Sequence, residues 1–350
     1  MTVPRSRSVA LVTGATGLVG SHIVELLLAQ GWDVRALVRS PERARGAVPR
    51  DVELVNGDVL DQASFVRAAR GCHTLFHTAA NITVRGGWEA YRVTNVEGTR
   101  NAIAAAERAG ARLLQLSSVA VYGPAARYDA ARRGERTDER TVLQPVSDRA
   151  YYARSKRESE ALAMQAHVEG RIWATAVRPT VVYGRRDRQF VPRMAVLIER
   201  LFVPRLRGGK SIMSIVHAAN VAQGAVLAAT TDAAGGNAYN LANDFDVTVR
   251  RFFELGADGL GRRVRWLPMP LWAAKTALRS SRWLVRALSR GKLSGIASSA
   301  IDFISQDNPF SSERAKRELG WAPTVRPEDG VPDAFRWWQE HRGTHEKGAT

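Results

Sequence analysis

The chain carries a single cysteine, Cys72, among 350 residues. That excludes an internal disulfide and any cysteine-rich metal site, and no metal is expected; it also suits a reducing, cytoplasmic setting. Lysine is scarce as well: six of the 51 basic residues are lysines, and the net charge of +17 rests on arginines scattered along the chain. No nucleic-acid-binding module accompanies that charge, so no nucleic acid is expected as a partner. No uncharged apolar run approaches the length that spans a bilayer. The short basic start MTVPRSRS is followed by an apolar stretch that a strand and a helix account for, so no signal peptide is expected. Internal repeats and low-complexity tracts are absent. Acidic residues are missing between Asp258 and Asp302, where basic ones accumulate from Arg262 to Lys292.

What is present is organised around Val9 to Gly20, VALVTGATGLVG. A short apolar run breaks into glycines at 14, 17 and 20, which reads as a buried strand, a tight turn and the start of a helix. Gly14 and Gly17 let the backbone turn and approach a ligand, and Gly20 lets the helix pack closely on the sheet. Val19, Ile23, Leu26 and Leu27 then recur at helical spacing. The free N–H groups and dipole of such a helix start favour an anion, for which a dinucleotide pyrophosphate is the natural occupant. The spacing G-x-x-G-x-x-G, as TGATGLVG, resembles the cofactor turn of the extended short-chain dehydrogenase/reductase family. The cofactor-binding set that this implies here is Gly14, Thr16, Gly17, Leu18, Val19 and Gly20.

Further strands are expected at Asp33–Val38, Val52–Asn56, Thr74–His77, Arg112–Leu116 and Ile172–Val177, with helices between them. That alternation predicts an α/β fold: a doubly wound parallel sheet of the Rossmann type, with a smaller C-terminal substrate lobe. Residues 1–184 form the dinucleotide-binding domain, rejoined by elements from about 212–230, and 185–350 form mainly the lobe. At the end of the second strand stands Arg39, 19 residues beyond Gly20. An acidic residue there would bond the ribose 2′-hydroxyl of NAD, whereas an arginine suits the 2′-phosphate of NADP. Asp33 is acidic but lies at the far end of the strand, too far to touch the same ribose. VRALVR also resembles the NADP-preferring dihydroflavonol-reductase branch of the family, so NADP is expected over NAD.

The resemblance extends along the chain. Gly57-Asp58-Val59 resembles the adenine-contacting turn, although Asp58 could equally cap the next helix. Thr78-Ala79-Ala80 are small enough for the cofactor to lie against the strand end, and His77 is read as a packed structural residue. A helix from Tyr91 to Arg108 carries Asn95 in a segment similar to the family's NVxGT, where Asn95 would support the active site from below or serve as an ordinary polar residue. Pro179 and Val181 fall in RPTVVYG, similar to the RPxxVYG segment beside the nicotinamide. Ile215–Val221 resembles VHVDDVA with the acidic pair replaced by Ala219 and Asn220, and Asn220 is expected to cap the helix. AKRELGWAP at 315–323 resembles a late family segment.

Tyr152 and Lys156 are four apart and share a helix face. Following a glycine turn and a serine at a strand end, they match the family's order of catalytic residues: Ser118, rather than Ser117, aligns with the catalytic serine of SxxVYG, and Asn95 completes the set. A free tyrosine titrates near ~10, so proton transfer near neutrality asks its pKa to fall by about 3, worth about 4 kcal/mol. The Lys156 ammonium, with an oxidised nicotinamide, is expected to supply that. The resulting expectation is reduction of a ketone, or oxidation of the matching alcohol. The substrate is a bulky apolar molecule such as a steroid, β-keto-acyl or polyketide-like compound. The long connection 124–150 would form its rim. Trp266, Leu271, Trp272, Leu278, Trp283, Val285 and Leu288 form an apolar stripe in the basic segment 266–292, which packs on the core, closes over the substrate or touches a membrane peripherally. A nucleotide-sugar epimerase or dehydratase and an NADP-sensing binding protein are the alternatives, and a homodimer is compatible with either.

Overall fold

A computed structural model describes residues 7–82, 87–123, 135–200, 202–242, 245–274, 276, 303, 305–307 and 309–346. The chain divides into two compact units: residues 1–182, 216–242 and 310–324 in the first, and 183–215, 243–309 and 325–350 in the second. The returning piece of the first unit is longer than the 212–230 expected. The segment 310–324, placed by sequence in the smaller lobe, belongs to the first unit.

The first unit holds a parallel seven-stranded sheet. Its strands are β1 (Val9–Thr13), β2 (Asp33–Val38), β3 (Glu53–Asn56), β4 (Thr74–His77), β5 (Arg112–Leu116), β6 (Ala174–Pro179) and, after β7 (Val181–Tyr183), β8 (Val203–Arg205) and β9 (Ile215–His217), the last strand β10 (Ala238–Leu241). They lie in the order β10-β6-β5-β4-β1-β2-β3, which reverses direction beside β1. The strands are short apolar runs because both faces are covered. On one face α1 (Leu18–Ala29) and a helix at Ala218–Thr230 bury Val19, Ile23, Leu27, Val221 and Val226 against Val12 and Phe76. On the other, α3 (Gln62–Ala69), α5 (Gly98–Ala109) and α6 (Tyr151–Val168) bury Phe65, Ile103 and Ala163 against Leu11, Leu75 and Leu113.

Several boundaries move. The third strand begins one residue later than expected and the sixth two residues later. The helix expected over Tyr91–Arg108 is interrupted: α4 (Gly87–Tyr91) passes into a π-helical turn, Arg92–Glu97, before α5. A π turn widens the backbone locally and turns side chains off the regular face; Asn95 lies in it. Asp61, not Asp58, caps α3 by accepting the Ala63 N–H, while Asp58 accepts the Leu60 N–H at 3.0 Å in its own turn. His217, not Asn220, caps Ala218–Thr230, because it occupies the position before the first helical residue. Asn220 lies a turn inside and holds the 321–324 segment instead, its Oδ1 accepting from Thr324 N at 3.1 Å and its carbonyl from Trp321 Nε1 at 2.9 Å.

The second unit contains a parallel pair of β8 with β11 (Trp266–Pro268). Its helices include α7 (Phe190–Arg200), α9 (Val249–Gly259) and α11 (Pro327–Glu346); α8 is Ala218–Thr230 and α10, Glu313–Leu319, belongs to the first unit. Edge-on contacts of Phe252 with Phe253 and Phe335 at 5.7 and 5.8 Å make part of its core. Of the expected stripe, Trp266 is half-buried and Trp272 is 72% exposed. Leu278, Trp283, Val285 and Leu288 lie outside the described residues.

Candidate active site

In a parallel sheet every strand ends on one edge, and the register aligns these ends closely. Thr13 pairs with His77 and Leu37, His77 with Gln115, and Leu116 with Val177. The glycine turn, Arg39, Thr78–Ala80, Ser117–Ser118 and the end of β6 with Pro179 therefore converge on one rim, where such folds bind ligands.

The turn after β1 is built for close approach. Gly14 takes φ +68, and a Cβ on Gly20 would lie 2.2 Å from the Gly14 carbonyl oxygen and 2.8 Å from Thr78 Oγ1. Gly17, just before helix α1, supplies no side-chain cap, and the first turn holds no acidic residue. Its leading N–H groups and dipole end are thus left for an anion. This arrangement fits a dinucleotide pyrophosphate lying over Gly14–Gly20, with Thr16, Leu18 and Val19 on the turn.

Thr13 fastens the turn to β4. Its Oγ1 accepts N–H groups of Thr78 and Ala79, both at 3.2 Å, so its own hydrogen goes to His77 Nδ1 at 3.0 Å. The imidazole hydrogen consequently sits on Nε2, which is buried and has no partner among the described residues. Burial, with the Lys156 charge adding to it, lowers the His77 pKa to about 3. His77 is therefore buried and neutral.

Ser118 heads a 3-10 turn, Val119–Tyr122, and its oxygen accepts the Ala120 N–H at 3.2 Å, leaving its hydrogen for another acceptor. Tyr152 lies in the first turn of α6, its ring edge-on to that of Tyr91 at 6.4 Å. Lys156 is buried, one turn on, and its Nζ donates to the Leu116 carbonyl at 2.7 Å, two residues before Ser118. Asn95 lies beneath them: its side chain bonds the backbone of Asn81 through both ends (2.6 and 3.1 Å) and donates to Ser155 Oγ at 2.9 Å. Ser155 in turn donates to the Tyr152 carbonyl at 2.9 Å. Asn95 therefore braces the tyrosine through the backbone and does not touch Tyr152 or Lys156 in the contacts described.

Burial pushes the Tyr152 phenol above its usual value; Ser118 pulls it back and Tyr91 adds to the rise. Lys156 donates to the Leu116 carbonyl and is not among the groups that lower the phenol here. Desolvation lowers Lys156 itself to about 8, against the opposing pull of Glu160.

A buried polar network behind the site is absent from the sequence reading. Glu160 forms an ion pair with Arg178, whose Nη1 donates to Tyr122 Oη at 2.8 Å; Tyr122 donates to Asn240 Oδ1 at 2.9 Å. Burial of the phenol takes Tyr122 up to about 12. The available signal was spacing: Glu160 follows Lys156 by one helical turn, and a carboxylate on a buried helix face needs a cation. Arg39 is exposed at the end of β2, Asp58 and Val59 are half-buried after β3, and Val181 is half-buried while Pro179 is buried. Groups of acidic, histidine or cysteine side chains able to hold a metal are absent among the described residues, and no described helix is long and apolar enough to cross a membrane.

Residues 10–242 match the NAD dependent epimerase/dehydratase family. The chain is similar to a 4-hydroxy-2-methyl-3-oxo-4-farnesyl-3,4-dihydroquinoline-1-oxide ketoreductase of Stigmatella aurantiaca, at 31% identity over 93% of this chain and 95% of that one. It is also similar to the decarboxylating sterol-4-alpha-carboxylate 3-dehydrogenase of Bos taurus, at 26% identity over 95% and 93%. Among solved structures it resembles a double mutant of DesIV, a dTDP-glucose 4,6-dehydratase from Streptomyces venezuelae with NAD bound, at 25% identity and a TM-score of 0.70 over 97% and 99% of the two chains. The glycine turn, the strand-end alignment and these likenesses agree: the chain belongs to the NAD dependent epimerase/dehydratase family of extended short-chain dehydrogenases/reductases and is an NAD(P)-dependent oxidoreductase.

Proposed function

We propose that the protein is an NADP(H)-dependent reductase of a ketone on a bulky apolar substrate, using Ser118, Tyr152 and Lys156. The observation that carries this reading is the buried Lys156, one helical turn from Tyr152, anchored on the Leu116 carbonyl two residues before Ser118. The cofactor supplies the hydride. The Ser118 hydroxyl, which lowers the Tyr152 pKa here, would turn its hydrogen to the substrate oxygen. Tyr152, whose pKa lies above its ordinary value, carries its proton at neutral pH and donates it to the oxygen that turns negative, which suits the reductive direction. Lys156 would hold the nicotinamide ribose, and Asn95 braces the helix that carries both residues.

The finer assignments have separate supports. For NADP, Arg39 is exposed on the binding rim and its guanidinium fits a phosphate. For the substrate, the relatives named above act on a farnesylated ring ketone and on a sterol, and Ile82, at 51% exposure, follows the Thr78–Asn81 strand end. Asp58 and Val59 would contact the adenine, and Pro179 and Val181 the nicotinamide. The likeness to DesIV favours a second reading, a nucleotide-sugar dehydratase or epimerase.

Fluorescence titration should show NADPH binding at least about tenfold tighter than NADH; the reverse order overturns the role of Arg39. A screen for NADPH consumption across steroid, β-keto-acyl and flavonoid ketones, with UDP- and dTDP-sugars alongside, identifies the substrate class. Turnover of the sugars alone decides for the second reading. Tyr152→Phe should retain cofactor affinity and lose turnover.

A further inference from the structure

The residue after the lysine, Arg157, has no place in the chemistry above, yet its half-buried guanidinium makes three hydrogen bonds to backbone carbonyls. Nε and Nη2 both donate to the Val121 carbonyl, the former at 3.1 Å, and Nη2 also donates to the Gln144 carbonyl at 2.7 Å. Val121 lies in the short turn headed by Ser118. Gln144 lies where the chain returns from its excursion after Gly123: its N–H donates to the Tyr122 carbonyl at 3.3 Å. The return is tight, since Gly123 takes φ +80 and a Cβ there would lie 3.2 Å from the Gln144 carbonyl oxygen. One guanidinium on α6 thus grips both ends of that excursion.

We propose that Arg157 is a positioning residue: by fastening the Val121 and Gln144 carbonyls to the helix that bears Tyr152 and Lys156, it sets where the turn headed by Ser118 stands against that helix. This rests on the roles of Ser118 and Tyr152 in the proposed function and extends them to a residue that need not touch substrate or cofactor. Two features make the grip specific. The planar fork reaches two carbonyls at once, which a lysine ammonium on a similar stem cannot match. The turn is also held independently at Tyr122 through Arg178 and Asn240, so losing Arg157 shifts Ser118 without unfolding the turn.

The groups facing Tyr152 are Ser118, from the turn after β5, and Tyr91, from α4; Ser118 lowers the phenol's pKa and Tyr91 raises it. Releasing Ser118 therefore raises the pKa at which Tyr152 ionises. The test is an NMR titration of the full chain labelled with 13Cζ-tyrosine, the Tyr152 resonance being assigned by its disappearance in Tyr152→Phe. Arg157→Met should move the Tyr152 titration to higher pH and Arg157→Lys by less, while NADPH affinity by fluorescence and the far-ultraviolet circular dichroism stay as in the parent. An unchanged Tyr152 titration in Arg157→Met overturns the proposal. If Arg157→Met fails to fold, Arg157→Lys carries the same comparison, and its coincidence with the parent curve is equally decisive. All three readouts are substrate-free, so a negative substrate screen counts against the proposed function and leaves this inference standing.

Discussion

Lys156→Met should make the cofactor-free protein more stable at neutral pH and should also inactivate it. Burial lowers the Lys156 pKa from 10.5 to about 8, and that difference corresponds to about 3 kcal/mol of stability forgone. The sign depends on pH. Below pH 8 the lysine is charged in both folded and unfolded chains, and the full penalty applies. Between 8 and 10.5 the unfolded chain retains a proton that the folded chain has shed, so parent stability climbs with pH; above 10.5 the penalty has gone. Methionine has a similar reach and no charge. It gives up the 2.7 Å hydrogen bond to the Leu116 carbonyl, a loss of about 1 kcal/mol. The net gain at pH 7 is then about 2 kcal/mol, or a rise in Tm of about 3 °C for a chain of 350 residues. Differential scanning fluorimetry of cofactor-stripped protein at intervals from pH 7 to 10 reads it directly, the advantage of the variant shrinking to nothing near the upper end. A variant that melts below its parent at pH 7, or an advantage that does not vary with pH, refutes the argument that the site holds a desolvated ammonium.

Other changes test the scaffold. Gly20→Ala brings a Cβ to 2.2 Å from the Gly14 carbonyl oxygen, and neither backbone can yield without unseating the turn; NADPH affinity by fluorescence titration should fall at least about tenfold. Retained affinity would show that the turn does not carry the pyrophosphate. Glu160→Gln leaves Arg178 as a buried unpaired charge and should cost about 3–5 kcal/mol in urea unfolding. A loss under about 1 kcal/mol would mean that the pair is solvated in solution.

Much of the fold was legible because its signals are short-range. The apolar runs of β1, β2, β4 and β5 are bounded by glycines and helical stripes within a few residues, and Gly14, Gly17 and Gly20 are spaced by the turn that they form. The order of Ser118, Tyr152 and Lys156 was legible for the same reason, since a strand end and a four-residue helical spacing are local patterns. Cap assignments failed at Asp58 and Asn220 because each has a rival capping residue a few positions away, and pattern alone does not rank them.

The sequence by itself determined the alternation of strand and helix, the position of the phosphate-gripping turn and the membership of one helix face by Tyr152 and Lys156. Tertiary structure alone decided which partner each side chain takes. Lys156 spends its hydrogen bond on a carbonyl 40 residues away, Tyr122 meets Asn240 across 118 residues, and Asn95 reaches Ser155 across 60. These pairings exist because the parallel sheet brings distant strand ends to one rim, where burial removes water and leaves each polar group dependent on whichever neighbour the packing provides.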